Sequence, residues 1–535
     1  MVRSRAWLPW AGAAEILLAA ALAAFFYASL YGELPYHDVA RFAAQLASGQ
    51  FIYDLGHVLL EPAALLWHRW LESGEPVTAS QKHINSFSTA AAVAILYGLL
   101  VRLRVPRWLA AFAAALFAGS CGILILAPSA HFKLVALPFT TASLALLALA
   151  EAEGWAGRAW VAAAGGALLA VASGFFAGVL TTPLFAGAAL LVAARREGAS
   201  WPRAVLQAVL LGAVCGALFA LLAAGMFALI YGGTVSGAGL AAALADKEAV
   251  APSDYSGVNR IARGVFSTVN DFIAAPQLGA VVRAWLNGQI PTLRPYAASL
   301  LPVLVPWAAT AVLLAAIYGR ALIAALRGRR CLVPLAFLIG AFAWAVGYNL
   351  NDPEHWVNLT APTLVLFATV FPPVAVGLGL PVWAVATIAI NLALFAIPTA
   401  TYPLRRYEAE IHQQFTQRDL LVYFANYPGR AYLGFFNLSG LRGLKLDLAF
   451  EQAPNLTAFF GMLDQTITDT LRDGGRVVVF DVLDGDDWEA PWPNLTAQGL
   501  TKDDLYSHLA SRFTISRKPG IADLKVWQIS PPPGS

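Results

Sequence analysis

The segment YGELPYHDVARFAAQLASGQFIYDLGHVLLEPAALLWHRWLESGEP follows the first apolar run directly and sets a carboxylate and imidazoles at short spacing. Asp38 lies a few positions beyond that run, and His57 heads the second half of the segment. Further along, Lys82, His83, Arg260, Arg263 and His355 place basic groups in the interruptions between apolar runs. A carboxylate within hydrogen-bond reach of a hydroxyl can take its proton, while cations or N–H donors can hold the charge that develops on a departing phosphate. Plainer roles compete with these. An Asp just past a transmembrane helix is often a solvated end residue, and a His at the head of a surface helix is often simply hydrogen-bonded. Glu61, before Pro62, suits the positive end of a helix dipole.

Three other stretches carry groups of the same kind. YNLNDPEHWVNLTAP, from Tyr348 to Pro362, sets Asp352, Glu354, His355 and Trp356 within five positions between two apolar runs. Ionisable residues at membrane depth are expensive and tend to mark sites, so His355 meets a phosphate if the turn dips inward and belongs to an ordinary interfacial turn if it does not. Arg260 and Arg263 sit on an amphipathic stretch that either covers a site or rests on anionic head groups. FDVLDGDDWE, with Asp481, Asp484, Asp486 and Asp487, lacks the spacing and closing Glu of an EF-hand and reads as a solvated loop. Cys121, Cys215 and Cys331 have neither CxxC spacing nor a His-rich partner, which argues against a zinc site or disulfide framework. Asn455 and Asn494 stand in Asn-x-Thr triplets too common to carry weight.

The elements that must position these residues are set by composition. The 535 residues are 59% hydrophobic and 13% charged, with a mean hydropathy of +0.63, a balance no soluble core of ordinary size could bury. The net charge of +3 comes without a basic stripe interleaved with aromatics, so nucleic acid is not an expected partner. Runs long enough to enter a ~30 Å hydrocarbon layer fall near 7–30, 86–101, 108–127, 134–150, 159–175, 181–194, 204–231, 299–318, 331–348, 357–371 and 374–397, about eleven in all. The first is too long, and lacks the cleavage pattern, for a removed signal peptide.

With the N-terminus inside, the cytoplasmic face receives Arg3, Arg5, Arg102, Arg104, Arg107, Arg158, Arg195, Arg196, Arg203, Arg320, Arg327, Arg329 and Arg330, while the short external turns hold only Lys133. The positive-inside rule then puts loops 31–85 and 232–298 outside, with the C-terminal domain. This implies an α-helical polytopic protein of the inner (cytoplasmic) membrane, surrounded by lipid, with a helical module over 1–400 and a small α/β extracytoplasmic domain over 401–535. In the first loop, apolar faces over Asp38–Ser48 and in the 59–70 segment imply two surface helices. In the C-terminal domain, EIHQQFTQRDLLVYFANY reads as one amphipathic stretch, TAFFGMLDQTITDTLRDGG as a helix, and GRVVVFDVL and DLKVWQIS as strands, with RAYLGFF and LKLDLAF between them. Thr501 and Asp504 have capping-box spacing. The domain shows no catalytic constellation and is expected to serve acceptor binding or site closure.

The order of the first loop resembles the glycosyltransferase-C (GT-C) superfamily of membrane enzymes. The shared pattern is a first helix, an acidic residue soon after it, a surface helix ending in a Gly-x-hydrophobic-Tyr turn, and a His leading a second surface helix. Here these are Asp38, LASGQFIYDLG with Gly49 and Tyr53, and His57 before VLLEPAALL. The resemblance covers about the first 200 residues, and the remainder only in general plan. It implies inverting transfer of a hexosyl or pentosyl group from a polyprenyl-phosphate-linked donor to a glycan, lipid or protein acceptor, with Asp38 as catalytic base. The substrate- and phosphate-contacting set is then His37, Tyr53, Asp54, His57, Glu61, Lys82, His83, Arg260, Arg263 and His355. Where common members carry an adjacent acidic pair this chain has His37–Asp38, and it lacks the WWDYG signature of oligosaccharyltransferases. No metal ligands or certain cofactor follow, and a divalent cation stays open.

Two other functions compete. A transporter or flippase should show ionisable residues buried mid-helix and two similar halves, and the charges here cluster at the loops. A scaffold for the outer domain would need no amphipathic first loop bearing an acid.

Overall fold

A computed structural model describes residues 8–31, 57–72, 77–129, 133–231, 257–273, 297–347, 355–400, 404–424, 441–446, 449–450, 453–480, 482–483, 495–496, 499–521 and 524–532. The chain divides into a helical unit (1–32, 38–275 and 303–400) and a second unit consisting chiefly of 401–535.

Hydrocarbon offers no partner for backbone N–H and C=O groups, so an apolar run that enters it must close its hydrogen bonds internally, as a helix does. Every one of the eleven runs contains a helix: α1 Leu8–Ala28, α3 Val77–Arg102, α4 Arg107–Gly119 with α5 Cys121–Leu126, α6 Leu137–Glu153, α7 Ala159–Phe175, α8 Thr182–Arg196, α9 Trp201–Tyr231, α11 Ala297–Leu326, α12 Leu332–Gly347, α13 Thr360–Val370 and α14 Pro373–Asn391. Two further helices lie in the long connections, α2 Leu60–Leu71 and α10 Gly257–Phe272. Six of the described helices are long and apolar enough to cross a membrane, and five shorter apolar helices accompany them. The protein is a multi-pass membrane protein. Helices α1, α9, α11 and α14 leave Leu17, Phe25, Leu221, Leu229, Val305, Val312, Leu378 and Val382 exposed, as side chains facing lipid would be. Helix α3 packs on α1, α2, α4 and α6, and α7 on α6 and α9.

The third helix starts earlier than its apolar run. Lys82 and His83, expected on the external loop, lie in its first turns, because Ser80, Gln81, Asn85 and Ser86 are buried against neighbours instead of solvated. The Asn85 amide donates to Leu126 O at 2.5 Å, and Ser86 Oγ to Ala127 O at 2.8 Å. The 108–127 run is in turn two helices. Ser120 takes an extended conformation between α4 and α5, and the carbonyl of Gly119 beside the break accepts from Asn391 Nδ2 at 2.8 Å. The same amide donates to Phe272 O, the last residue of α10, at 2.7 Å. At the opposite end of α12, Glu151 accepts from the backbone N–H of Leu332 and Val333, both at 3.0 Å, closing donors that a helix start leaves open.

The second unit is a three-layer α/β fold. Its sheet has the order β2-β1-β3-β5-β4, with β1 Leu420–Tyr423, β2 Arg442–Lys445, β3 Val477–Phe480, β4 Thr514–Ile521 and β5 Leu524–Ser530. Strands β2, β1 and β3 are parallel, and β5 and β4 return antiparallel. Helix α15 (Leu404–Gln414) lies on one face with Ile411, Leu421, Tyr423, Val478 and Phe480, while α16 (Leu456–Arg472) and α17 (Lys502–Arg512) cover the other with Leu420, Val422, Val477 and Val479. The stretch EIHQQFTQRDLLVYFANY is therefore a helix end and a strand, not one amphipathic element. LLVY is buried on both faces, as a central parallel strand must be, and so cannot alternate. The capping box of Thr501 and Asp504 opens α17, and Asn455 caps α16 by accepting from Ala458 N. Asp481, Asp484, Asp486, Asp487 and the stretch RAYLGFF lie outside the described residues.

Asp419 ties the turn before β1 to the start of β3. Its carboxylate accepts from the Thr416 backbone N–H at 2.8 Å, from the Arg476 backbone N–H at 2.8 Å and from Arg476 Nη2 at 2.7 Å. Burial alone would raise this carboxyl, yet the Arg476 side chain and the two backbone donors hold it well below the usual carboxylate range. Such a group contributes stability that is complete above its unfolded value of about 4 and is lost as pH falls through the folded value. Asp419→Ala is expected to destabilise this unit by about 2 kcal/mol at pH 7, with the deficit shrinking as pH falls below about 4. Thermal unfolding of the full chain at the two pH values checks this, and an unchanged deficit would count against it.

Candidate active site

Two of the expected site residues come together at one end of the helical unit. The turn Phe176–Val179 between α7 and α8 carries Phe176, whose ring is buried. His57 stacks against it with ring centroids 6.0 Å apart, and His355 lies 5.3 Å from the same ring. The approach of residue 57 follows from the backbone: Leu59 N–H donates to Gly174 O at 2.8 Å, fixing the start of α2 on the end of α7. Val58 packs beneath with Ala223, Phe219 and Met226 of α9. A Cβ on Gly178 would overlap the Phe176 ring, so only glycine lets that ring fold over its own turn.

His355 itself is 4% exposed. Trp356 is buried as well, against Phe342 of α12, and does not stand at an interface. The Trp344 indole N–H donates to His355 Nδ1 at 3.2 Å. A nitrogen that accepts carries no proton, so in this arrangement the ring hydrogen sits on Nε2.

The other expected residues are placed differently. His83 Nδ1 lies 2.6 Å from Glu72 Oε1, and its ring is 5.4 Å from that of Tyr31 at the end of α1. Lys82 is half-buried beside it on α3. His68 Nδ1 and Ser80 Oγ, 2.9 Å apart, join α2 to α3 in the same region. Gln81 is 1% exposed, and among the described residues neither of its amide atoms has a hydrogen-bond partner. Arg260 and Arg263 lie on α10, as expected; Arg260 Nη2 donates to Gly347 O at 2.9 Å, and Arg263 is half-buried. Glu61 is in the first turn of α2. His37, Asp38, Tyr53, Asp54, Asp352 and Glu354 lie outside the described residues. Among the described residues no cluster of three His, Cys, Asp or Glu groups could hold a metal ion.

Phe176, Trp344 and Asp271 escaped the sequence reading. The two aromatics sit at the ends of ordinary apolar runs, and a single Asp in an amphipathic loop helix passes for part of a solvated face. Asp271 is instead 3% exposed and accepts from Thr360 Oγ1 at 2.6 Å. A signal was available in the small and polar spacing of Gly264, Thr268 and Asp271 along α10, which packs on α5 and α12.

No protein-family model matches the chain, and no curated protein does. Among solved structures, ArnT from Cupriavidus metallidurans bound to undecaprenyl phosphate is similar over 98% of this chain and 98% of its own, at 13% identity and a TM-score of 0.46. The same enzyme in the apo state matches at 14% identity over 97% of this chain and 98% of its own, also with a TM-score of 0.46. The S. cerevisiae protein O-mannosyltransferase Pmt1-Pmt2 complex bound to the sugar donor matches at 16% identity and a TM-score of 0.33, over 40% of this chain and 33% of its own. Likenesses of this strength transfer neither a family nor a site residue.

Gly178→Ala should force the Phe176 ring off its position and destabilise the helical unit by about 1–3 kcal/mol, the usual cost of overpacking. Thermal unfolding in detergent measures it, and a wild-type midpoint would mean that the ring moves aside freely.

Proposed function

We propose that this protein is a GT-C-type glycosyltransferase that moves a sugar from a polyprenyl-phosphate-linked donor to an acceptor on the non-cytoplasmic side of the membrane. The observation that carries the reading is that His57 and His355, residues remote in sequence, both pack on the ring of Phe176. One belongs to the first loop and the other to the buried turn before α13. The order of Asp38, the Gly49–Tyr53 stretch and His57 in that loop supports the same reading.

In this proposal Asp38 takes the proton of the acceptor hydroxyl as its oxygen attacks the anomeric carbon from the face opposite the phosphate. The bond from that carbon to the phosphate oxygen breaks, the configuration inverts, and polyprenyl phosphate leaves. His355 Nε2–H donates to a phosphate oxygen, and His57 and Lys82 complete the phosphate-holding set. A neutral imidazole donor in a water-poor site stabilises developing charge more strongly than the same group in water. His37, Tyr53, Asp54, Glu61, His83 and Arg263 remain candidates for orienting donor and acceptor.

Asp38→Asn keeps size and polarity but removes the proton acceptor. Turnover with a polyprenyl-phosphate-sugar donor is expected to fall by roughly 10²- to 10⁴-fold with donor binding little changed. Near-normal turnover in correctly inserted protein would remove Asp38 from the role and move attention to Asp54 and Glu61.

A further inference from the structure

Helix α10 grips both ends of the segment that carries His355. At its first turn Arg260 Nη2 donates to the carbonyl of Gly347, the last residue of α12, where a helix leaves its carbonyls open and a cation is favoured. One turn on, Gly264 lies so close to Phe342 and Val346 of α12 that a Cβ there would sit 2.7 Å from Val346 Cγ2. At its last turn Asp271 accepts from Thr360 Oγ1, the first residue of α13, at 2.6 Å. Eleven helical steps, from residue 260 to residue 271, separate the two anchors by about 16 Å. Between Gly347 and Thr360 the chain carries His355 and Trp356.

The Asp271 anchor is closely fitted. A Cβ on Gly122 would overlap its Oδ1, and among the described residues Thr360 is the one side chain that donates to the carboxylate. The end of α10 is held independently: Asn391 donates to Phe272 O, and Trp307 Nε1 donates to Asn270 Oδ1 at 2.8 Å. Burying a carboxylate with one partner is costly, and the cost is met here by a contact that fixes where α13 begins.

We propose that Arg260 and Asp271 are positioning residues: they hold the end of α12 and the start of α13 at a fixed separation and so set His355 against Trp344 and Phe176. Arg260 then acts through Gly347, and its expected part as a direct phosphate contact passes to His355. The inference rests on the proposed function only for the significance of His355, and the placement of that ring is testable without any transfer assay.

The test is the rate at which diethyl pyrocarbonate modifies His355 in the purified full-length protein, read by mass spectrometry, with His508 of the C-terminal unit as internal control. Arg260→Met and Thr360→Val should each raise modification of His355 by about 10-fold, the effect of one lost hydrogen bond on a local opening, and leave His508 unchanged. Arg260→Lys and Thr360→Ser, which keep a donor, should stay within about 2-fold of wild type. If Arg260→Met and Thr360→Val leave His355 unchanged, or His508 rises equally, the positioning role is overturned. In a transfer assay the Met and Val variants should raise donor KM more than they lower kcat. A wild-type protein that transfers no sugar would refute the proposed function, while the modification rates would still decide this inference.

Discussion

Within hydrocarbon, every backbone group that leaves a helix must find another partner, and in this protein the consequences of that constraint gather around one helix break. Ser120 interrupts the 108–127 run between α4 and α5. The Gly119 carbonyl beside it is satisfied by Asn391, whose amide also holds the last residue of α10. Beyond the break, Gly122 leaves room for the Asp271 carboxylate, which in turn holds Thr360 at the start of α13. The break, the loop helix and the His355 segment thus form one connected set. An unbroken helix with a side chain at position 122 would have no place for the Asp271 anchor.

Aromatic packing does the remaining work of placement. Phe176 can contact both imidazoles because its own turn contains Gly178 and because Leu59 is hydrogen-bonded to Gly174. Trp344 donates to Nδ1 of His355 and so fixes how that buried ring is turned. The C-terminal unit draws its stability from different physics: two central parallel strands, β1 and β3, buried on both faces and a carboxylate that staples two elements at one edge.

What the sequence disclosed follows the strength of each physical signal. Long apolar runs announce helices because lipid permits little else, and all eleven are present. The capping box at Thr501 is local chemistry and equally legible. The start of α3 was hidden because its polar residues, Gln81 and Asn85 among them, are buried against other elements, and hydropathy cannot register partners remote in sequence. Strand β1 was misassigned because a stretch that begins helical and ends doubly buried shows no single period. Of the candidate site, His57 and His355 were visible as residue types. Their meeting on Phe176 was not, since it depends on the packing of α2, α7 and α12.

The most direct test of the account is photo-crosslinking of a polyprenyl phosphate bearing a reactive group beside its phosphate, with the full-length protein in liposomes. The account predicts that the label concentrates on peptides containing His57 and His355 and is displaced by unlabelled carrier. Label confined to the lipid-exposed faces of α9 and α11, or undiminished by competitor, would contradict it.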